Sequence, residues 1–158
     1  WLFIFRNWRK SMPNWCEGNL KIRGKIEDVK KFLDEQIYQK GEVILEKDEI
    51  KLSGVGGHLK DTYRCFISVG QDGFYDEFYV DRDGNIIVII PVQHVWGPRL
   101  DLFKRLSEKY GVDFRFYGYE RGLEFNCEFE IIKGNITLSR EIEFEDYDWE
   151  CPDPRKGG

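Results

Sequence analysis

The chain has 158 residues, 41% of them hydrophobic and 16% aromatic, with a formal net charge of −5. That length suits one domain with a real core, or one domain with an ordered appendage. The negative balance argues against non-specific binding to nucleic acid or anionic membranes, and no apolar run reaches the ~20 residues a bilayer-spanning helix needs.

Residues 1–5 are apolar, but Arg6, Arg9 and Lys10 follow them, the reverse of a signal peptide's order. The expected location is cytoplasmic. Met12-Pro13-Asn14-Trp15 looks like a natural start, so residues 1–11 read as non-native sequence or a loose tail. The alternative is a native basic-aromatic arm. Residues 12–145 would form the domain and residues 146–158 an acidic tail. Cys16, Cys65, Cys127 and Cys151 form no Cys-x-x-Cys pair and are expected as unpaired, mostly buried thiols.

Residues 19–23 alternate apolar and polar side chains and predict a short strand ending at Gly24. Ile26, Val29, Phe32, Leu33 and Ile37 then form one stripe at spacings of three and four, predicting a helix over 26–40 that stops at Gly41. Glu27 and Asp28 at its start and Lys40 at its end suit the helix dipole. Residues 43–53 predict a small hairpin around Lys47-Asp48, and 54–58 a flexible glycine-rich loop. A strand over 63–69 leads to a turn at 71–73. Residues 75–81 and 86–95 predict a hairpin across Asp83-Gly84, with the apolar run 86–90 as a central strand, covered on both faces or at a sheet interior. Pro98 suits the first position of a second helix, whose apolar side is Leu102, Phe103, Leu106 and Tyr110 and whose stop is Gly111.

The last third predicts three strands. In residues 112–120, Phe114, Phe116 and Gly118 share one face, and Arg115, Tyr117 and Tyr119 the other. A two-residue turn at Arg121-Gly122 would pair Phe116 with Cys127 and Phe114 with Phe129, and Arg115 with Glu128. A second turn at Gly134-Asn135 would pair Cys127 with Ile142 and Phe125 with Phe144. The expected fold is α+β, with a ferredoxin-like β-α-β-β-α-β core. Its two helices cover one face of an antiparallel sheet, with inserted strands and a C-terminal β-hairpin extension.

Met12-Pro13-Asn14-Trp15-Cys16 with Leu20, Ile22 and Gly24 resembles the opening of the YubB-like family of phage and conjugative-plasmid proteins. Val95-Trp96-Gly97-Pro98 is similar to that family's Trp-Ser-Pro-Pro segment, and Glu120-x-Gly122-x-x-Phe125 to its hairpin motif. The likeness covers roughly residues 12–24 and 92–134. Gly18 stands where the family has asparagine, Gly97 and Arg99 where it has serine and a second proline, and Cys127 where it has a small residue. The family's tryptophan-rich middle is missing. The resemblance implies a mobile-genetic-element setting and this fold, but no reaction.

By the predicted registers, the solvent face carries Arg115, Tyr117, Tyr119, Glu124, Glu128, Glu141, Glu143 and Glu145. Exposed rings on such a sheet suit an RNA-recognition module, but glutamates surround them where phosphates need cations. A decorated cross-strand face with an Arg115–Glu128 pair is the plainer reading. Residues 141–153 carry seven carboxylates without a base, an edge strand guarded by charge or a mimic of a phosphate backbone. Their spacing matches no metal loop, and exposed carboxylates lack the burial an acid/base pair needs. His58 and His94 with four scattered cysteines make no zinc signature, and 54–57 is no phosphate loop. Trp15 and Trp96 are packing anchors by default and candidates for a binding surface.

No catalytic residue, metal or cofactor is expected. The expected function is a non-enzymatic accessory interaction protein of a phage or plasmid. It would bind a host or element-encoded protein through its sheet face or acidic edge. The alternative is a single-stranded nucleic-acid-binding module that uses the sheet-face aromatics.

Overall fold

The computed structural model describes residues 14–39, 43–46, 49–52, 56–68 and 78–143. The predicted turn at 71–73, residues 1–11 and the acidic tail lie outside the described residues. So do Glu145, Phe144 and Cys151.

Alternation in the first strand starts earlier than expected, so β1 is Trp15–Gly24, with Cys16, Leu20 and Ile22 buried. Helix α1 (Ile26–Gln36) buries Val29, Phe32 and Leu33. It stops four residues before the predicted end at Lys40. Ile37 turns extended (φ −83°, ψ 119°) and opens β2 (Ile37–Gln39). A β-branched residue gains there by pairing with Leu59, and the Lys60 N–H donates to the freed Gln36 carbonyl at 2.7 Å. The small hairpin forms as expected, β3 (Val43–Glu46) on β4 (Glu49–Leu52), as a separate sheet.

The predicted glycine loop is half wrong. Gly56, Gly57 and His58 belong to β5 (Gly56–Leu59), held between β2 and β6 (Cys65–Ile67). Strand β6 is shorter than the expected 63–69, because Asp61, Tyr63 and Arg64 take left-handed φ values of 57°, 51° and 58°. The second hairpin pairs β7 (Phe78–Val80) with β8 (Ile86–Val95). Strand β8 is central in the sheet as expected, between β1 on one side and β6 and β7 on the other, but it is not covered on both faces. Ile86, Val88, Ile90 and Val92 are buried, and the alternate residues are half-buried. Pro98 precedes helix α2 (Leu100–Tyr110) rather than opening it, and Gly111 ends α2 in the left-handed region (φ 68°) as expected.

Strands β9 (Asp113–Glu120), β10 (Phe125–Ile132) and β11 (Asn135–Glu143) complete the sheet. Among the described residues the protein is α+β, with two helices and a main antiparallel sheet. Its order is β11-β10-β9-β1-β8-β6-β5-β2, with β7 also on β8. Both helices lie on one side. There Phe32, Phe103, Phe114, Phe116 and Phe129 pack with ring centroids 5.2–5.6 Å apart in edge, tilted and stacked contacts. No described helix is long and apolar enough to cross a membrane.

Both predicted C-terminal registers need correction. The β9–β10 loop has four residues, 121–124, and Glu120 faces Phe125, so Phe116 pairs with Phe129 and Arg115 with Glu130. The buried Glu120 carboxylate causes this by accepting the backbone N–H groups of Gly122 (2.8 Å) and Leu123. The slip is two residues, so every side chain keeps its face. At β10–β11 the turn is Lys133-Gly134, both left-handed (φ 49° and 75°), and a bulge follows that leaves Thr137 without a residue opposite. Glu128 therefore faces Arg140, and Cys127 faces Glu141. That slip is one residue, and it exchanges the faces of β11.

Gly18 and Gly118 face each other across β1 and β9. A Cβ on Gly18 would come 2.1 Å from the Tyr117 carbonyl oxygen, so even alanine does not fit, let alone the asparagine of the YubB-like pattern. Gly18→Ala should cost about 3 kcal/mol or more in urea unfolding. Gly84→Ala, which meets open space at φ 78°, should cost only about 1 kcal/mol.

His94 is buried against Phe103 and Phe116, and its Nδ1 has no hydrogen-bond partner. Burial pushes its imidazole down to about 3. The unfolded chain therefore takes up a proton below the ordinary histidine value, near 6.5, while the folded chain stays neutral until about 3. Its contribution is complete above 6.5 and is lost as pH falls toward 3, at about 1.4 kcal/mol per pH unit. Urea titrations at pH 7 and pH 5 should differ by about 2 kcal/mol, and His94→Phe should remove most of that difference.

Candidate functional site

The sheet face away from the helices is the candidate site. Alternation places each residue: where Cys16, Leu20 and Ile22 point inward, Glu17, Asn19, Lys21 and Arg23 point outward. The same rule puts Arg115, Tyr117, Tyr119, Asn126, Glu128 and Glu130 on this open face, and Leu138, Arg140 and Ile142 beside them on β11.

The structure brings together Arg115, Tyr117, Tyr119 and Glu128, as expected. The other glutamates depart from the expected face. Glu124 sits exposed in the β9–β10 loop with φ 61°. Glu141 is exposed but opposes Cys127, a helix-side position, and Glu143 takes the register position opposite Phe125. The four-residue loop takes Glu124 off the strand, and the bulge at Thr137 shifts Glu141 and Glu143 by one register position. Among the described residues, β11 places no acidic stripe beside the tyrosines.

At the centre of the face Glu128 is only 6% exposed, and both its oxygens are engaged. Oε1 accepts from Arg115 Nη2 at 2.7 Å, and Oε2 from Arg140 Nε at 2.8 Å and Nη2 at 2.6 Å. Burial alone would raise this carboxyl, but the two guanidiniums outweigh it and hold it below the usual carboxylate range. Arg115 Nη1 also donates to Glu130 at 2.8 Å. The tyrosines are anchored by their hydroxyls. Tyr119 donates to Glu17 at 3.1 Å, and the buried Asn126 donates to Tyr117 at 2.9 Å. These groups make a fixed polar floor.

Toward β2 the face becomes aromatic. Trp15 meets Phe66 edge-on (5.8 Å), Phe66 meets His58 (6.1 Å), and His58 stacks on Tyr38 (4.8 Å, 22°). Tyr38 is 61% exposed and Phe66 37%. Trp96 lies at the same end of the sheet, 57% exposed, with a left-handed φ of 72° and its N–H on the Asn14 carbonyl at 2.9 Å. Tyr63, also exposed, has the Arg64 and Arg99 guanidiniums 5.6 and 5.8 Å from its ring centre.

No family model, curated protein or solved structure matches this chain.

Sequence reasoning missed Tyr38, His58, Phe66 and Tyr63. The apolar spacing predicts a helix through Tyr38 and the glycines a loop at His58, so the pattern gives neither a sheet face. Phe66 was legible, since Cys65 and Ile67 flank it as inward residues of a strand. Cys16, Cys65 and Cys127 are free thiols, with the Cys16 and Cys127 sulfurs 3.2 Å apart. Strand β9 runs between the strands that carry them. Among the described residues no cluster of three or more His, Cys, Asp or Glu is placed to hold a metal ion.

Glu128→Gln should cost about 2 kcal/mol, since it weakens charge-assisted bonds at a buried position. The wild-type contribution is present above the ordinary carboxylate value, near 4.5, and is lost as pH falls toward the lower folded value. Unfolding at pH 6 and pH 3.5 should show the variant losing less stability on acidification than wild type.

Proposed function

We propose that this chain is a non-enzymatic accessory interaction protein that binds a protein partner through the open face of its sheet. The phage or plasmid setting rests on the YubB-like resemblance alone. The strand order β9-β1-β8-β6 with both helices on one side supports reading the core as ferredoxin-like.

The observation that carries the reading is the row Trp15, Phe66, His58 and Tyr38, with Trp96 at the same end. Large rings left in water beside an ion-paired floor have the composition of an interface core with a polar surround. The floor is already ordered, so a partner would lose little entropy in fixing it. The acidic edge contributes less to this reading, because Glu141 and the tyrosines lie on opposite faces.

The row also favours a second reading, since the exposed Tyr38–His58 stack could extend onto the bases of single-stranded nucleic acid. Cations and carboxylates are nearly balanced on the face, which weakens that reading.

Affinity capture from host lysate, followed by a direct titration of the captured protein, tests the first reading. Phe66→Ser and Tyr38→Ser should each weaken binding about tenfold or more, and Glu141→Gln should leave it unchanged. Loss with Glu141→Gln alone would return the docking surface to the acidic edge. A gel shift with single-stranded RNA or DNA that fades with salt would favour the second reading.

A further inference from the structure

Cys16 of β1 is buried and Cys127 of β10 half-buried, and their sulfurs lie 3.2 Å apart although the residues are 111 positions apart in the chain. Both side chains are on the helix side of the sheet. Cys16 stands opposite Glu120 of β9, and Cys127 opposite Gly118. Neither β9 residue puts a side chain between the thiols. Gly118 has none, and the Glu120 carboxylate is turned to the Gly122 and Leu123 N–H groups. Cys65, the third described thiol, is kept apart by His94, which faces Cys16 on one side and Cys65 on the other. Its Sγ lies 3.7 Å from His94 Nε2.

The two thiols differ in access. A small oxidant meets the half-buried Cys127 first. The Cys127 thiol beside it, and then burial, hold the proton on Cys16, so Cys16 is inert until Cys127 has reacted.

We propose that Cys16 and Cys127 form a reversible disulfide switch beneath the open face, closed by a hydroperoxide and reopened by a small thiol. Cys127 Sγ attacks the O–O bond of hydrogen peroxide, becomes a sulfenic acid and releases one water. Cys16 Sγ then displaces the sulfenic oxygen. The S–S bond forms, the S–O bond breaks and a second water leaves, so two thiols are oxidised and one peroxide is reduced. Two glutathione molecules reverse the step and leave as glutathione disulfide. Closing the bond draws β1 and β10 together across β9, which the sheet resists. Strained disulfides are the readily reduced ones, which suits a switch better than a permanent staple.

The switch reaches the open face through the next residue on each strand. Glu17 and Asn126 adjoin the two cysteines and face Tyr119 from either side. Glu17 holds the Tyr119 hydroxyl, and Asn126 holds that of Tyr117. Oxidation therefore moves the polar floor between those tyrosines. The switch itself does not depend on the face being a docking surface.

The test treats the whole reduced chain with hydrogen peroxide, blocks the remaining thiols, and maps the digest without reductant by mass spectrometry. A peptide pair joining Cys16 to Cys127 should form in the folded protein, form equally in Cys65→Ser, and disappear with glutathione. The ¹⁵N amide signals of Glu17, Tyr119 and Asn126 should shift on oxidation and return on reduction. In Cys16→Ser, Cys127 should stop at a sulfenic acid that dimedone traps. The proposal is overturned if the pair is no more abundant than links to Cys65 or Cys151, or forms only in urea. It is also overturned if Cys127 runs on to sulfinic acid while Cys16 stays free, if glutathione does not reopen the link, or if those three amides do not move.

Discussion

The alternation of side chains across the sheet governs the rest of the structure. Phe114, Phe116, Phe129 and Ile131 must all reach the helices, and each is at most 1% exposed. Burying a phenylalanine is worth roughly 1.5–3 kcal/mol, so no register that turns β9 or β10 over can compete. Once those rings face inward, Arg115, Tyr117, Tyr119 and Glu128 have nowhere to go but outward. The composition of the open face follows from the packing of the closed one. Gly18 and Gly118 complete the constraint, because the Phe116 ring and the facing backbone fill the space their side chains would need.

Strand β11 is where that constraint ends. None of its described side chains is fully buried. Its register is set by weaker local features: the left-handed Lys133-Gly134 turn, the bulge at Thr137, and the Glu128–Arg140 pair. Gly134 is further held by donating its N–H to Ser107 of α2 at 2.9 Å. A one-residue difference there changes the chemistry of the open face. It replaces a row of glutamates with Leu138, Arg140 and Ile142, and converts a repulsive edge into a closed ion-pair network.

This division explains what the sequence could tell. Wherever burial decides, the pattern was readable: the α+β class, both helices, the Asp83-Gly84 hairpin, and the inward faces of β9 and β10. The four-residue β9–β10 loop was missed because its cause is one side chain, Glu120, bonding backbone N–H groups that a pattern of apolar residues does not reveal. Its two-residue slip kept the faces of β9 and β10 and cost only Glu124, which falls in the loop. The one-residue slip at β11 exchanged that strand's faces and removed Glu141 and Glu143 from the expected surface. The aromatic row was missed for a different reason. Tyr38 and His58 lie on strands of three and four residues whose pairing with each other spans about twenty residues of chain, and local propensity favours helix and loop there.

The face that results combines a rigid ion-paired centre with a ring row at one end. The ion-paired centre depends on which residue of β11 lies opposite Glu128. Cross-strand proton NOEs between β10 and β11 measure this directly. Contacts pairing Glu128 with Arg140, and Asn126 with Ile142, are the predicted result. Contacts pairing Glu128 with Glu141 would mean the strand is turned over, and would put the glutamates back beside Tyr117 and Tyr119.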